Sequence, residues 1–274
     1  MVPGARLIVL GKQGAGKGTQ CVRLSHHYVI PHISTGDMLR AEVHRRTELG
    51  LEAKSYMDAG ELIPDEVVLA MVRKRLDQDD TRERGFVLDG FPRTVPQAEG
   101  LTEILSPVEL DLVVNLVVPT GLVLRRLASR RVCQDCQTNY STTSPPKVDW
   151  ICDVCGGEVV ERPDDNVSAI QRRLDLYEVE TAPLITWYRR AGKLVSLSGV
   201  GSADAVGDRI IEAVDAHRAG VVGETPHSIS EWFHSPTDGE DLGGGAPDES
   251  DGDEKDSTDE AGPEGGDAEA GDGE

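Results

Sequence analysis

The apolar residues of the first 218 positions fall into short continuous runs, separated by stretches whose apolar positions recur at helical spacing. The runs have the length of strands and no alternation with polar residues, as expected for strands buried on both faces of a sheet. They predict five strands, at residues 7–10, 32–34, 85–89, 112–118 and 194–197. Because each is followed by helical patterns, we expect an α/β fold in which helices cover both faces of a central five-stranded parallel sheet.

The helical patterns themselves lie at residues 17–28, 95–105, 122–131, 166–190 and 204–218. Between the second and third strands the pattern changes. Ser34 to Asp37 offer helix caps, glycines bracket a further helix at 51–59, and Pro64 starts another.

The divisions of the chain follow from these patterns. Residues 34–63 form a small helical insert, and a polar, cysteine-bearing segment interrupts the later elements. The predicted divisions are a core of 1–33, 64–128 and 164–218, a helical insert at 34–63, a second insert at 129–163 and a tail at 219–274.

The tail differs from the rest in charge. It holds 18 Asp and Glu against one Lys, which accounts for −17 of the formal net charge of −21. The remainder is therefore nearly neutral, and a broad basic surface of the kind that binds nucleic acid is not expected. Low apolar content predicts that the tail is disordered.

The candidate chemistry starts at the first strand, which runs into the sequence GKQGAGKGT at residues 11–19. Gly11, Gly14 and Gly16 favour a tight turn with exposed backbone, and a helix is predicted from Lys17. Backbone N–H groups, the helix N-terminus and the Lys17 ammonium together suit a polyphosphate, so this loop is interpreted as a P-loop. Gly18 stands where most P-loops carry Ser or Thr, and the hydroxyl follows one residue later at Thr19.

Four of the five cysteines form two Cys-x2-Cys pairs, Cys133 with Cys136 and Cys152 with Cys155. This spacing is typical of a structural Zn²⁺ site of four thiolates, which leaves no open position for catalysis. Pairs that hold no metal are the alternative. We expect no disulfides, because the chain shows no signal peptide or membrane-spanning run, and we expect a reduced, cytoplasmic setting.

Five motifs in register with these elements resemble the adenylate kinases, in particular the long form with a zinc-bearing lid. They are GKQGAGKGT, ISTGDMLR, FVLDGFPRT, the cysteine pairs and RPDDN, and the resemblance covers residues 5–215. It implies a P-loop fold in which 34–63 is the NMP-binding insert and 129–163 the lid. It also implies reversible phosphoryl transfer from ATP to AMP, giving two ADP.

The resemblance assigns roles residue by residue. The groups that it implies for catalysis are Lys17, Arg40, Asp89, Arg93, Arg126, Arg130, Arg162 and Arg173. Those for ATP binding are Gly14, Ala15, Gly16, Lys17, Gly18, Thr19, Arg126, Asn139, Tyr140 and Gly201. Those for AMP binding are Thr35, Arg40, Glu61, Leu62, Ile63, Gly90, Phe91, Pro92, Arg93, Gln97, Arg162 and Arg173.

The same resemblance implies Mg²⁺ with ATP, with Asp89 orienting its waters, and structural Zn²⁺ on the four cysteines. A monomer is expected to act on ATP and AMP, with no nucleic acid or membrane as a partner. The chain departs from the family at Gln13, where Pro is common. Asp164 and Asp165 have two open interpretations, as caps of the helix from residue 166 or as aids to lid closure.

Three other functions fit parts of the sequence. A zinc-ribbon protein that binds nucleic acid would use the basic cluster Arg125, Arg126, Arg130 and Arg131, but the near-neutral core disfavours it. A related kinase that acts on UMP, CMP or GMP is the second possibility, and only a side-by-side assay of these acceptors with AMP can exclude it. A scaffold without activity is disfavoured because the implied cations are intact.

Overall fold

The computed structural model describes residues 4–162 and 164–220. The acidic tail predicted at 219–274 lies, apart from its first two residues, outside the described residues. Along the chain the elements are β1 (Arg6–Leu10), α1 (Lys17–Tyr28), β2 (His32–Ser34), α2 (Thr35–Arg45), α3 (Glu48–Ala59), α4 (Asp65–Leu76), α5 (Asp79–Arg84), β3 (Phe86–Asp89), α6 (Val95–Leu105), β4 (Leu112–Val117), α7 (Thr120–Ser129), β5 (Arg130–Cys133), β6 (Asn139–Ser141), β7 (Val159–Val160), α8 (Val167–Leu176), a π-helical turn (Tyr177–Thr181), α9 (Pro183–Arg190), β8 (Leu194–Ser198) and α10 (Ala203–Arg218).

The central sheet has five parallel strands in the order β2-β3-β1-β4-β8, as predicted. Its register aligns the carboxyl ends of three strands, because Asp89 pairs with both Val9 and Ser34. The loops that follow β1, β2 and β3 therefore leave the same edge of the sheet, where ligands of open α/β sheets bind.

Helices cover both faces of this sheet. Along β1, Leu7 and Val9 pack with α1, α7 and α10, whereas Ile8 and Leu10 pack with α4, α6 and α9. All four side chains are buried, which explains the apolar run without alternation. The predicted three-layer α/β fold is confirmed.

The segment after α7 forms a second, smaller sheet. β5 pairs antiparallel with β6 and with β7, in the order β6-β5-β7. Its small buried cluster contains Cys133, Cys152 and Val159. Little apolar surface is therefore buried here, in line with the polar composition of this part of the chain.

Two helix predictions were wrong in their bounds. α7 ends at Ser129, so Arg130 and Arg131 lie on β5 rather than on the predicted helix 122–131. The single helix predicted over 166–190 is three elements, since Pro183 has no N–H to continue the hydrogen-bond ladder and Ala182 N donates to Tyr177 O in a π-helical turn. Within the described residues, no helix has the length and apolarity needed to cross a membrane.

Candidate active site

The loop between β1 and α1 leaves the N-terminus of α1 without a side-chain cap. Gly16, the N-cap of α1, has the left-handed φ of 98°, and no side chain accepts from the first turn of the helix. Gly14 also has a positive φ, of 78°, and a Cβ built there would lie 2.9 Å from Leu127 Cγ. Glycine thus permits both the turn and its close approach to α7, and leaves the helix N-terminus open to an anion.

Lys17 is held inside this loop. Its Nζ donates hydrogen bonds to Gly11 O at 2.8 Å and to Lys12 O at 3.0 Å. Burial lowers the pKa of Lys17 to about 8, with Arg93 adding to the effect and Asp89 opposing it. The ammonium is therefore desolvated at a point that an anion would stabilise.

Asp89 faces the P-loop from the end of β3. A Cβ built on Gly18 would lie 3.2 Å from Asp89 Oδ2, closer than most real contacts, which explains glycine at this position. Burial tends to raise the pKa of Asp89, but His32, Lys17 and Arg93 outweigh it and hold that pKa below its usual value. The carboxylate is thus ionised beside the phosphate loop.

A crevice of about 940 Å³ runs from the P-loop to the helices of segment 34–63 and to the cysteine-bearing segment. Its volume suits nucleotides. Every residue predicted to bind a nucleotide lines it except Phe91. The Phe91 side chain is fully buried in the core, on the α4 and α6 side of the sheet.

Three arginines from different segments meet in the crevice and share two carboxylates. Arg173 lies 2.8 Å from Asp164, while Arg130 and Arg173 lie 3.0 and 3.4 Å from Asp165. Asn166, whose Oδ1 accepts from Ala169 N, is the cap of α8. The expectation that Asp164 and Asp165 cap this helix was therefore wrong.

The arginines outnumber the acids beside them, and repulsion results. Burial and the charge of Arg173 lower the pKa of Arg93. Burial, with the charges of Arg40 and Arg130, lowers the pKa of Arg162 to about 10. Arg162 Nε is buried 3.4 Å from Asp164 Oδ1 and makes no hydrogen bond within the described residues. The crevice is an anion site whose cations are incompletely neutralised.

The insert end of the crevice carries the predicted AMP-binding residues. Thr35 Oγ1 donates to Gly90 O, and Arg93 Nε donates to the same carbonyl. The Gln97 amide accepts from Arg93 N and donates to Asp65 Oδ1. Since an amide offers two donors and two lone pairs, one of each remains for a base.

The opposite end carries the predicted ATP-binding residues. The Arg126 guanidinium donates to Ala15 O and Gly199 O, which fixes it beside the P-loop. Asn139 lies across from Gly18, and Gly201, with φ of 115°, lines the crevice. Tyr140 also lines it, but its hydroxyl lies 3.4 Å from Cys152 Sγ and accepts from Asp153 N, so it links this wall to the cysteines.

Contacts across the crevice join predicted site residues to Gln137 and Asp37, to which the sequence analysis gave no role in the site. Gln13 Nε2 donates to Asp165 Oδ1 at 2.7 Å, and Arg40 Nε donates to Gln137 Oε1 at 3.0 Å. Asp37 accepts from Arg40 and lies 3.9 Å from Arg162. Only the substitution of the usual Pro by Gln13 signalled any of these in advance.

The four predicted metal ligands come together beside the small antiparallel sheet. Their Sγ atoms lie within 4.8 Å of one another, with Cys133 to Cys155 at 3.4 Å and Cys136 to Cys152 at 3.5 Å. Zn–S bonds of about 2.3 Å at tetrahedral angles place sulfurs about 3.8 Å apart. The thiols are free, so this donor set fits one Zn²⁺.

Comparison with known proteins agrees with this geometry. A family model described as adenylate kinase matches residues 9–193. The chain is 52% identical over 204 residues to the adenylate kinase of Thermodesulfovibrio yellowstonii, which covers 73% of this chain and 94% of the relative. It is 49% identical over 202 residues to that of Methanosarcina acetivorans, with the same coverage, and 46% identical over 213 residues to that of Streptomyces coelicolor, covering 76% and 98%. The chain therefore belongs to the adenylate kinase family.

Proposed function

We propose that this crevice carries out the family's reaction, reversible transfer of the γ-phosphoryl group of ATP to AMP with formation of two ADP. One observation carries the proposal. Lys17 and the six predicted arginines line one nucleotide-sized crevice, namely Arg40, Arg93, Arg126, Arg130, Arg162 and Arg173. Burial, together with neighbouring cations, lowers the pKa values of Lys17, Arg93 and Arg162 there. Two nucleotides bring the missing negative charge, and their mutual repulsion requires such an excess of cations.

ATP is proposed to bind between the P-loop and the lid. The open N-terminus of α1 receives its phosphates on the backbone of residues 14–19, and Lys17 reaches the group to be transferred. Arg126, Asn139, Tyr140 and Gly201 form the far end of this half, where the adenosine lies.

AMP is proposed to bind against the helical insert. Arg40 and Arg93 face its phosphate, and Gln97 offers its remaining donor and acceptor to the adenine edge. Thr35, the segment 61–63 and the backbone at 90–92 complete the site, with the Phe91 side chain anchoring that turn in the core.

Transfer then depends on position and charge. The AMP phosphate is already ionised near neutral pH, so its oxygen attacks without a general base, and ADP leaves from the other side. Lys17, Arg130, Arg162 and Arg173 stabilise the charge that spreads over the transferring group. Because both products are ADP, one bound in each half of the crevice, the same residues serve the reverse reaction.

Mg²⁺ accompanies ATP in this family, and the residues present fit it. Asp89 is an ionised carboxylate beside the P-loop, and Thr19 lines the same crevice. When bound, the ion would neutralise phosphate oxygens and orient them. Asp89 is proposed to hold its waters.

Zn²⁺ is proposed to occupy the four cysteines and to fold the lid. The ion would supply folding free energy that the small buried cluster there does not provide. The lid and insert then close over the nucleotides as one wall, which excludes water as a rival acceptor. The contacts of Gln13 with Asp165 and of Arg40 with Gln137 support such a closed arrangement.

Because ATP and AMP are proposed to bind at opposite ends of the crevice, one arginine substitution at each end should weaken the binding of one nucleotide only. Arg40→Ala is expected to raise the Kd of AMP at least about 10-fold and leave the Kd of ATP within about 2-fold, because one charge-assisted contact is lost at one end. Arg126→Ala should do the reverse. Calorimetric titration with each nucleotide measures both.

Arg45→Ala is the control, since Arg45 lies on the same helix as Arg40 with its side chain 69% exposed. It should change neither Kd. Equal weakening of both nucleotides by Arg40→Ala and by Arg126→Ala would contradict the division of the crevice.

Loss of one zinc ligand tests the lid. Cys133→Ser and Cys152→Ser should each reduce zinc from one ion per chain to none and lower Tm by about 5 °C or more, with turnover reduced but present. Atomic absorption and calorimetry measure these. Ser144→Ala, in the same segment, should retain metal and Tm; full stability of the metal-free Cys variants would show that zinc does not hold the lid.

The setting is proposed as well. We place the enzyme in the cytoplasm as a monomer that acts on free nucleotides, without nucleic acid or membrane as a partner. The absence of nucleic acid and membrane as partners is supported by the position of the arginines, which converge inside a crevice that a duplex or a bilayer surface cannot enter.

A further inference from the structure

A second group of metal-binding side chains lies beneath the P-loop. Cys21 is on α1, one turn after Lys17, His32 begins β2 and Asp89 ends β3. One ligand atom of each lies within 4.8 Å of the other two. These three residue types together are a common donor set for a transition metal.

The distances suit a tetrahedral ion. Zn–N and Zn–O bonds of about 2.0–2.2 Å and a Zn–S bond of about 2.3 Å place neighbouring donors about 3.3–3.6 Å apart. His32 Nε2 and Asp89 Oδ2 are already 3.6 Å apart. Since the Cys21 thiol lies within 4.8 Å of both, it has to approach by about 1 Å at most.

One donor atom of this group lacks a hydrogen bond. His32 Nε2 is buried and makes none within the described part of the chain, since Asp89 Oδ2 at 3.6 Å is too distant, and such an unpaired polar atom is costly unless a ligand occupies it. Lys17, the nearest cation of the P-loop, directs its Nζ to two backbone carbonyls rather than to the Asp89 carboxylate. His32 and Asp89 both line the crevice, so an ion can reach them.

We propose that Cys21, His32 and Asp89 form a binding site for a borderline or soft divalent cation of the Zn²⁺ class, which competes with Mg²⁺ for Asp89 and inhibits the enzyme. Coordination forms a bond from Cys21 Sγ to the ion and releases the thiol proton to solvent. The fourth position faces the crevice and takes a water or a phosphate oxygen.

Selectivity follows from the donors. Thiolate and imidazole favour Zn²⁺ or Cd²⁺, whereas Mg²⁺ prefers oxygen ligands and keeps its waters. The ion would hold Asp89 by direct coordination, so the carboxylate no longer serves the waters of Mg²⁺. Inhibition should therefore appear at low free Zn²⁺ and weaken as Mg²⁺ rises.

The ion count tests the site independently of turnover. Full-length, untagged chain is dialysed against buffered Zn²⁺ or Cd²⁺, and bound metal is measured per chain. Wild type should hold one ion more than Cys21→Ala or His32→Gln, and with Cd²⁺ should show extra thiolate-to-metal absorption in the ultraviolet. His27→Gln, an exposed histidine of the same helix, should match wild type.

The second measurement is ATP plus AMP turnover against free Zn²⁺. The half-inhibiting concentration should rise at least about 10-fold in Cys21→Ala and in His32→Gln, and not in His27→Gln. His32 is not part of the buried core, so His32→Gln tests the metal site even if Cys21→Ala is unstable. Equal ion counts in wild type and both variants would overturn the site. An extra ion without inhibition would overturn the competition with Mg²⁺.

The inhibitory effect rests on the proposed role of Asp89, but the ion count does not. If the chain binds the extra ion and never forms ADP, the proposed function fails while the metal site stands. If the chain forms ADP normally and binds no extra ion, the metal site fails while the proposed function stands.

Discussion

Replacing Lys17 by Met is expected to lower kcat for phosphoryl transfer by about 10²–10³-fold, or about 2.7–4 kcal/mol of transition-state stabilisation. Lys17 is the cation that the P-loop itself holds, with its Nζ against Gly11 O and Lys12 O and its pKa lowered by burial to about 8. Met keeps the length of the side chain and removes its charge. Rapid-quench measurement of ADP formation reports the effect on chemistry.

Lys12→Met provides the matched control. Lys12 is in the same loop, but its ammonium pairs with Glu178 at 2.7 Å and donates to Thr120 Oγ1. It should reduce kcat less than about 3-fold. A Lys17→Met enzyme with near-normal kcat would remove Lys17 from the proposed chemistry.

Arg162→Met is expected to lower kcat by about 10³-fold without lowering the Tm of the nucleotide-free protein. The guanidinium is expected to contact the transferring phosphoryl group, so its loss is felt in the transition state. In the nucleotide-free protein, burial and the charges of Arg40 and Arg130 already lower the pKa of Arg162 to about 10. Asp164, 3.4 Å from Arg162, opposes this lowering but does not cancel it, and Arg173 at 2.8 Å remains as a partner of Asp164 when Arg162 is replaced. A neutral side chain of similar size therefore relieves the repulsion among the cations without leaving Asp164 unpaired.

A fall in kcat without a fall in Tm distinguishes a catalytic role of Arg162 from simple unfolding of the variant. Arg162→Lys should recover only part of the rate, since an ammonium does not reproduce the planar donors of a guanidinium. Arg172→Met, at an exposed arginine paired with Glu61, should leave kcat unchanged. A large fall in Tm with Arg162→Met would show that the arginine is a structural ion-pair partner instead.

The sequence predicted the central sheet well because its signals are local. Each strand is a continuous apolar run, and the glycines of the P-loop mark where β1 ends and α1 begins. The helix at 166–190 failed for a physical reason. Its apolar spacing continues through Pro183, and only the missing N–H breaks it into α8, a π-helical turn and α9.

The site was predictable as a set of residues but not as a set of contacts. Arg130, Arg162 and Arg173 were expected in the crevice, yet their sharing of Asp164 and Asp165 depends on segments that meet only in the folded chain. The same holds for the Gln97 amide, whose partner Asp65 begins a different helix. Distances between remote segments are set by packing, which local patterns do not encode.

The central claim is that cations of one closed crevice allow two repelling nucleotides to exchange a phosphoryl group. ADP formation from Mg·ATP, measured in parallel with AMP, GMP, CMP and UMP as acceptors, tests it most directly. Two ADP are expected for each AMP consumed, with AMP the preferred acceptor. No ADP with AMP present, or ATP hydrolysis at a rate that AMP does not change, would contradict it.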